Sequence, residues 1–398
     1  MKIGYIIAKF PALSETFIAN EVKLLRDYGL DIKVFSLVPP SKEELERFSP
    51  WYKELIKRNI YYINNKSLFY LSPYILNFSL LKENLLLQKR ITFKSNYLLR
   101  ILRALAIAKL CKKERIIHIH AHWPYGSQLA YLVHKLTGIS YSISVHAHEV
   151  KHDNGHFPII FESLSFATFC NKGAMNFLLK NLPKDYSDKC YLIYHGVDLE
   201  HFSVDTPPIY NKGELKVLSA GRFTKTKGFH RLIRGCAKAK REGIDIKLTI
   251  LGDGALKEQL LNIAKENDFE DRLELPGWVP HDKVIEYIKD SHIFALLANT
   301  DYHDGLPNVV LEAMACKRPV IISPLPSSKE AIEDGKEGFI LKTEDDLEGF
   351  CSVIKKIVDE PEILKELGEN ARKKVIEKFD TKKHIYNLYR LFLDRLKG

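Results

Sequence analysis

The chain has 398 residues, 45% hydrophobic and 28% charged, the composition of a soluble globular protein with length for two or three domains. Its six cysteines (Cys111, Cys170, Cys190, Cys236, Cys316 and Cys351) are scattered without a C-x-x-C pair, which argues against a disulfide framework or zinc cluster and for a reduced cytoplasm. The net charge of +10 implies an anionic partner, and no run approaches the roughly 18 apolar residues that span a bilayer.

Residues 2–8 read as a first strand, too short an apolar run for a signal-peptide core. A polar loop from Phe10 to Thr16 follows, then a helix from Phe17 to Tyr28 stopped at Gly29, then a strand from Ile32 to Leu37. This is a βαβ opening whose first loop lies at the carboxyl end of its strand. Residues 41–115 are helical in pattern. Between Trp51 and Arg115 fourteen Lys/Arg face only Glu54, Glu83 and Glu114, so the chain's positive charge is concentrated there. Helices with solvated lysines account for the pattern, and so does a basic amphipathic face lying on anionic lipid. Nucleic acid is disfavoured, because no aromatic-interleaved RNA motif accompanies the charge.

Arg115 to Ile119 reads as a strand running into His118-Ile119-His120-Ala121-His122-Trp123. Tyr141 to Val145 is a strand ending in His146-Ala147-His148-Glu149. Two more follow, Ala167–Cys170 and Tyr191–Tyr194. Glu200 to Glu214 has little periodicity and carries Pro207-Pro208, which marks a linker. A second alternating set begins with Lys216–Ala220 before Gly221-Arg222. It continues with Ile246–Leu251 before Gly252-Asp253-Gly254, then Arg272–Leu275 before Gly277-Trp278-Val279-Pro280. Ile293 to Ala298 is a buried strand. Pro307 sits at the expected first helical position, and Arg318–Ile322 is the next strand. Two helices close the chain, the last from Thr381 to Leu396. The expected fold is therefore α/β: two Rossmann-like domains facing across a cleft, residues 1–205 completed by 379–398, and residues 206–378.

The chemistry collects at strand ends of the second half. Free N–H groups at a helix start near Pro307 would hold a phosphate. Asn308 and Glu312, four apart, share one helix face, and Asp304 lies in the loop before them. Arg222 and Lys227 place a planar fork and a point charge one loop away. Such a cluster stabilises a departing diphosphate by fixed electrostatics, without a metal. His118, His120 and His122 alternate, as do His146 and His148. A zinc site would need several of them to converge with a carboxylate, whereas strand alternation puts the first members in a sheet core. No H-E-x-x-H, P-loop or G-x-S-x-G elbow occurs.

Taken in order, several motifs resemble those of family-4 glycosyltransferases of the GT-B fold, in the exopolysaccharide and colanic-acid-type branch. They are Phe10-Pro11-x-x-Ser14-Glu15-Thr16-Phe17-Ile18, His120-Ala121-His122-Trp123, Val145-His146-Ala147-His148-Glu149, and His195-Gly196-Val197-Asp198-x-x-x-Phe202. Gly221-Arg222…Lys227-Gly228, Leu251-Gly252-Asp253-Gly254, Gly277-Trp278-Val279 and Gly305-Leu306-Pro307…Glu312-Ala313 complete the set.

That resemblance implies sugar transfer from a nucleotide diphosphate donor with retention at the anomeric carbon and no metal or other cofactor. It implies that Arg222 and Lys227 hold the donor diphosphate, and that Glu312, the second acid of a Glu-x7-Glu motif, holds the ribose. The first acid of that motif is Asp304 here, one methylene shorter than the family's Glu. Gly305, Leu306, Pro307 and Asn308 would meet the β-phosphate through backbone N–H groups, and Gly252 and Val279 would line the nucleobase pocket. His146 would stand near the anomeric centre in a positional role. Ser14, Glu15, Thr16 and His122 would belong to the loops facing donor phosphate and acceptor, and the final helix would cross back to the first domain. The implied partners are a nucleotide sugar, a lipid-linked or oligosaccharide acceptor and an anionic membrane surface, on the cytoplasmic face of the cell membrane. A sugar-nucleotide epimerase or hydrolase of the same fold, or a non-catalytic scaffold of a polysaccharide complex, is the alternative.

Overall fold

The structure is a computed structural model that describes residues 1–13, 15–48, 50–56, 59–63, 97–146, 150, 155–300 and 305–396. The chain divides into two compact units. One comprises Met1–Tyr194 with His384–Gly398, the other His195–Lys383.

In the first unit seven strands form one parallel sheet: β1 (Lys2–Lys9), β2 (Asp31–Val38), β3 (Ile60–Tyr62), β4 (His118–His122), β5 (Ser140–Val145), β6 (Phe166–Phe169) and β7 (Cys190–Leu192). Their order is β3-β2-β1-β4-β5-β6-β7. The order reverses between β1 and β4, so the loops after these two strands diverge and leave a crevice at their carboxyl ends. One layer of core, with Phe35, Ile119, Leu129 and Ile143, lies under the helices Tyr97–Glu114 and Trp123–Thr137. The opposite face packs Ile18, Val22 and Leu25 of the helix Thr16–Asp27 with Ile385, Leu388 and Phe392 of the final helix, Thr381–Leu396. Phe166 and Phe392 meet edge to face at 5.5 Å. From His384 on, the last helix thus belongs to this unit and buries its apolar stripe in this core.

Two expectations need correction here. The stretch read as wholly helical contains β3, a short parallel strand paired to β2 through Val34–Ile60 and Ser36–Tyr62. In the basic segment, Arg100 is fully buried and Arg103 donates to the Tyr125 hydroxyl at 3.2 Å. Neither is a solvated charge, while Lys109, Lys112 and Lys113 are exposed. Residues 64–96 of that segment lie outside the described residues. No helix among the described residues is long and apolar enough to cross a membrane.

In the second unit the strands are β8 (Leu215–Ala220), β9 (Ile246–Leu251), β10 (Leu273–Gly277), β11 (Ile293–Leu296), β12 (Val320–Ile322) and β13 (Gly338–Ile340). They run parallel in the order β10-β9-β8-β11-β12-β13, with the same reversal between β8 and β11. β11 and β12 are apolar throughout, as parallel strands covered on both faces tend to be, while β8 and β9 interrupt their apolar residues with Lys216, Ser219, Lys247 and Thr249. Helix Phe229–Arg241 follows β8 and packs its Leu232, Cys236 and Ala239 inward. Gly235 makes room for the Phe350 ring of the helix Leu347–Asp359, 2.9 Å from where a Cβ would stand.

Candidate functional site

At the carboxyl edge of the second unit, three glycine-bearing strand ends are laced side by side. Gly221 N–H donates to Leu251 O at 2.9 Å and Gly252 N–H donates to Gly277 O at 2.8 Å. Gly252 has φ +137°, and a Cβ there would stand 1.9 Å from Gly221 O, so no other residue fits without moving the backbone. Arg222 follows Gly221 and is exposed. Lys227 closes the same loop, its stem lying over Gly221, with Cε 3.3 Å from the Cβ position there. The loop is fastened to the neighbouring strand end by Asn299 N–H donating to Thr226 O at 2.8 Å. The two predicted cations therefore stand at the reversal point of the sheet, beside the segment that leads into Gly305.

Gly305, Leu306, Pro307 and Asn308 are half-buried and run into the helix Asn308–Ala315. Pro307 is the cap rather than the first helical residue, because its ψ of 121° leaves the helix, and no side chain caps this end. The first N–H groups of the helix are thus left to other acceptors. Asp304 lies outside the described residues. Glu312 is buried one turn in. Its Oε1 accepts from His281 Nε2 at 2.8 Å, while its buried Oε2 has no hydrogen-bond partner among the described residues. Burial pulls the His281 pKa down, but the Glu312 charge and hydrogen bond outweigh it and leave the imidazole above its ordinary value. Val279 is half-buried, two residues beyond Gly277.

The first unit brings a different set together. Its three alternating histidines lie within β4, all buried, with His118 and His120 in the sheet core as alternation predicts and His122 at the strand's carboxyl end. The register explains why. His118, His120 and His122 stand opposite Ser140, Ser142 and Ser144 of β5. His118 bonds Ser140 and Ser142 hydroxyls at 2.8 and 2.7 Å. His120 bonds Ser142 and Ser144 at 2.7 and 2.8 Å, and Ser144 reaches Thr168 at 2.7 Å. Neutral imidazoles, each with one donor and one acceptor, complete this chain with one proton per hydroxyl. Burial agrees: it holds the His118 pKa at about 3 and the His120 pKa well below its ordinary value.

His122, the last of the three, lies 3.3 Å from Glu21 Oε1 through Nε2 and 3.3 Å from His146 Nε2 through Nδ1. Tyr5 donates to the same Glu21 oxygen at 2.9 Å. The ligand atoms of Glu21, His120 and His122 all lie within 4.8 Å of one another, but both ring nitrogens of His120 are already engaged by serines. The His146 ring stacks on Trp123 with centroids 4.2 Å apart and meets Phe17 at 5.4 Å. Trp123 Nε1 in turn donates to Glu15 Oε2 at 3.3 Å. Glu15 caps the helix that Thr16 begins. Glu15, Thr16, His122 and His146 are thus gathered at the carboxyl edge of β1, β4 and β5, and Ser14 lies outside the described residues. Glu21, Tyr5, the serine ladder and His281 are the residues the sequence reading missed. The ladder had a signal, period-2 serines in one strand beside period-2 histidines in the strand before it. His281 had none, because its partner is 31 residues away.

Two parallel sheets of this strand order, each carrying its polar loops at the reversal point, are the two halves of the GT-B fold. HepE of Anabaena, solved with UDP and glucose, superposes with a TM-score of 0.73 at 14% identity, covering 98% of this chain and 99% of its own. The apo form of WaaB, a lipopolysaccharide outer core galactosyltransferase, gives 0.71 at 17%, covering 98% and 99%. Residues 207–374 match the family described as Glycosyl transferases group 1. AmsK of Erwinia amylovora, an amylovoran biosynthesis glycosyltransferase, is 25% identical over 376 residues, 89% of this chain and 90% of its own. WcaL of Salmonella typhimurium, provisionally described as a colanic acid biosynthesis glycosyltransferase, is 24% identical over 372 residues, 87% and 88% of the two chains. The second unit thus carries the region that matches Glycosyl transferases group 1, and most of the chain is similar to glycosyltransferases of bacterial exopolysaccharide synthesis.

Proposed function

We propose that the protein is a retaining, metal-independent transferase. It moves a sugar from a nucleotide diphosphate sugar to a saccharide or lipid-linked saccharide in bacterial surface polysaccharide synthesis. The observation that carries the reading is the loop Arg222–Lys227, folded over Gly221 and bonded to the strand end that leads to the uncapped helix at Asn308. A guanidinium, an ammonium and a helix N-terminus at one sheet edge suit a diphosphate. Charge that develops on a departing diphosphate is stabilised there by groups already in place. The diphosphate itself takes the acceptor proton, so no protein base is required.

In this reading Glu312 receives the ribose, Gly305 to Asn308 the β-phosphate, and Gly252 and Val279 border the base. Asp304 replaces the family's sugar-binding Glu. His146, Glu15, Thr16, Ser14 and His122 serve the reacting sugar and the acceptor, with His146 positional. HepE was solved with UDP-glucose, and a Campylobacter jejuni relative, 29% identical over 214 residues and 53% of this chain, is named for transfer to a diphospho-undecaprenol-linked saccharide. Both fit a nucleotide-sugar donor and a lipid-linked acceptor, with the exposed lysines of the basic segment on the inner face of an anionic membrane. The test is incubation of a sugar nucleotide with and without a lipid-linked acceptor, in EDTA, followed by NMR of the product. A transferase gives acceptor-dependent product with the donor's anomeric configuration. Conversion of donor alone selects the epimerase or hydrolase reading, and no turnover with any donor selects the scaffold.

A further inference from the structure

Glu312 is a buried acid whose two oxygens are treated differently. Oε1 is taken by His281 at 2.8 Å, and Oε2 is buried with no hydrogen-bond partner among the described residues. A buried carboxylate oxygen without a donor is costly, so its place in the fold points to a donor that arrives with a ligand. We propose that His281 is a positioning residue for the nucleotide. It pins the Glu312 carboxylate through one oxygen and leaves the other for the vicinal hydroxyls of a ribose, and the segment His195–Phe202 braces it for that task. This rests on the nucleotide-sugar reading above and deepens it.

The brace is built from a motif that no other part of the site uses. Asp198 Oδ1 accepts from the N–H groups of Glu200 and His201 at 3.0 and 3.2 Å, and Asp198 O accepts from Phe202 N–H at 2.8 Å. This tight turn presents the Phe202 ring to His281, with centroids 5.2 Å apart and planes at 64°. Arg372 then clamps the turn to the helix that carries Glu312. Its Nη1 donates to Phe202 O at 2.7 Å and to Ala315 O at 2.8 Å. The pinned acid, the pinning imidazole and the turn behind it are therefore held as one assembly within the second unit. The charged groups that face His281 are Glu312, Asp282 and Asp198, all acids. The His281 hydrogen bond to Oε1 fixes the carboxylate so that Oε2 keeps one orientation. A site that accepts from a hydroxyl discriminates strongly against an analogue lacking it.

The experiment measures binding, not turnover. UDP, GDP and ADP are screened against the wild-type chain by thermal shift, and the best binder is compared by calorimetry with its 2′,3′-dideoxy form. The wild type should favour the ribose form by roughly tenfold or more, as hydrogen bonds to a charged acceptor do. His281→Asn, too short to reach Glu312, should bind the ribose form almost as weakly as the dideoxy form and leave dideoxy binding unchanged. His281→Gln, whose amide still reaches, should restore most of the preference. Phe202→Leu, which loosens the brace without removing a polar group, should fall between and serves if the Asn variant does not fold. A His281 with a merely structural role would weaken both nucleotides alike and preserve their ratio, and that result overturns the inference while sparing the donor reading. Failure of all three diphosphates to bind the wild type sinks both.

Discussion

The carboxyl edges of the two sheets occupy equivalent places in one strand order, yet their chemistry is opposed. In the first unit the reversal point is filled by buried rings. His118 and His120, further back in β4, are bonded by serine hydroxyls, and His146 at the edge is stacked on Trp123. In the second unit the same point is a glycine-lined edge with Arg222 exposed and Lys227 over the backbone. Topology supplies the crevice in both. In the donor reading, what fills it decides which half meets an anion: Arg222 stands exposed at the second edge, whereas His118 and His120 are buried among hydroxyls. The sharpest way to break this contrast is to remove the cations. Arg222→Ala or Lys227→Ala should lower turnover by roughly two to three orders of magnitude, the scale for loss of one preorganised electrostatic contact. Melting temperatures should stay close to wild type. Normal turnover in both variants would move the anion site elsewhere.

The next largest effect concerns the glycine edge itself. A Cβ at Gly228, where φ is +64°, would stand 1.8 Å from Leu297 O, and one at Gly252 would stand 1.9 Å from Gly221 O. Gly252→Ala should destabilise the second unit by at least about 1–3 kcal/mol from backbone strain alone, read as a lower denaturation midpoint. Gly138→Ala is the control. Gly138 also has positive φ but nothing within 4 Å of the Cβ position, so only the conformational cost remains. Equal midpoints for the two variants would mean that close approach does not govern the strand ends.

Acid and base should separate the units by sign. The folded pKa of His118 is depressed to about 3, and that of His120 lies well below its ordinary value, by burial first. Between an unfolded value near 6.5 and those folded values, the unfolded chain binds protons that the native chain refuses. Stability therefore falls on acidification by about 1.4 kcal/mol per pH unit for each such histidine. His281 behaves in the opposite sense. Its folded pKa is raised, by Glu312 against burial, so its contribution is complete below about 6.5 and is lost as pH rises through the folded value. Denaturation midpoints across pH should show His120→Gln flattening the acid limb alone and His281→Gln the alkaline limb alone. One variant flattening both limbs would contradict the assignment.

How far the sequence reached follows the same divide. The second unit was legible at its strands and glycine loops, because fully buried parallel strands read as apolar runs and a tight strand end demands glycine at a fixed place. Ile246–Leu251 is the strand the pattern predicts, and Thr381–Leu396 the predicted helix. The short strand β3 was hidden, since three residues between helices carry no period. Alternation puts the first histidines of β4 in the sheet core, where they lie, but their serine partners stand in the following strand, which no pattern within β4 reveals. His281 and Glu21 were invisible for a different reason. Each takes its place through contacts across long stretches of chain, 31 residues from His281 to Glu312 and 16 from Glu21 to Tyr5.

The smallest expected effect on folding lies in the basic helix Tyr97–Glu114, where the contrast between buried and exposed charge recurs within one element. Lys109, Lys112 and Lys113 are exposed, whereas Arg100 on the same helix is buried completely. Exchanging the three lysines for Gln should shift stability by no more than about 0.5 kcal/mol, the range for surface positions without special contacts. If these lysines face an anionic bilayer, the same change should weaken sedimentation with phosphatidylserine vesicles, since each cation near such a surface is worth about 1 kcal/mol, and added salt should mimic it. Arg100→Gln should do the reverse, lowering the denaturation midpoint while the folded fraction still binds vesicles as wild type does, because a buried guanidinium contributes nothing to a surface field. Vesicle binding that survives the triple exchange would remove this helix from any membrane role and leave the chain's positive charge to be explained by residues outside it.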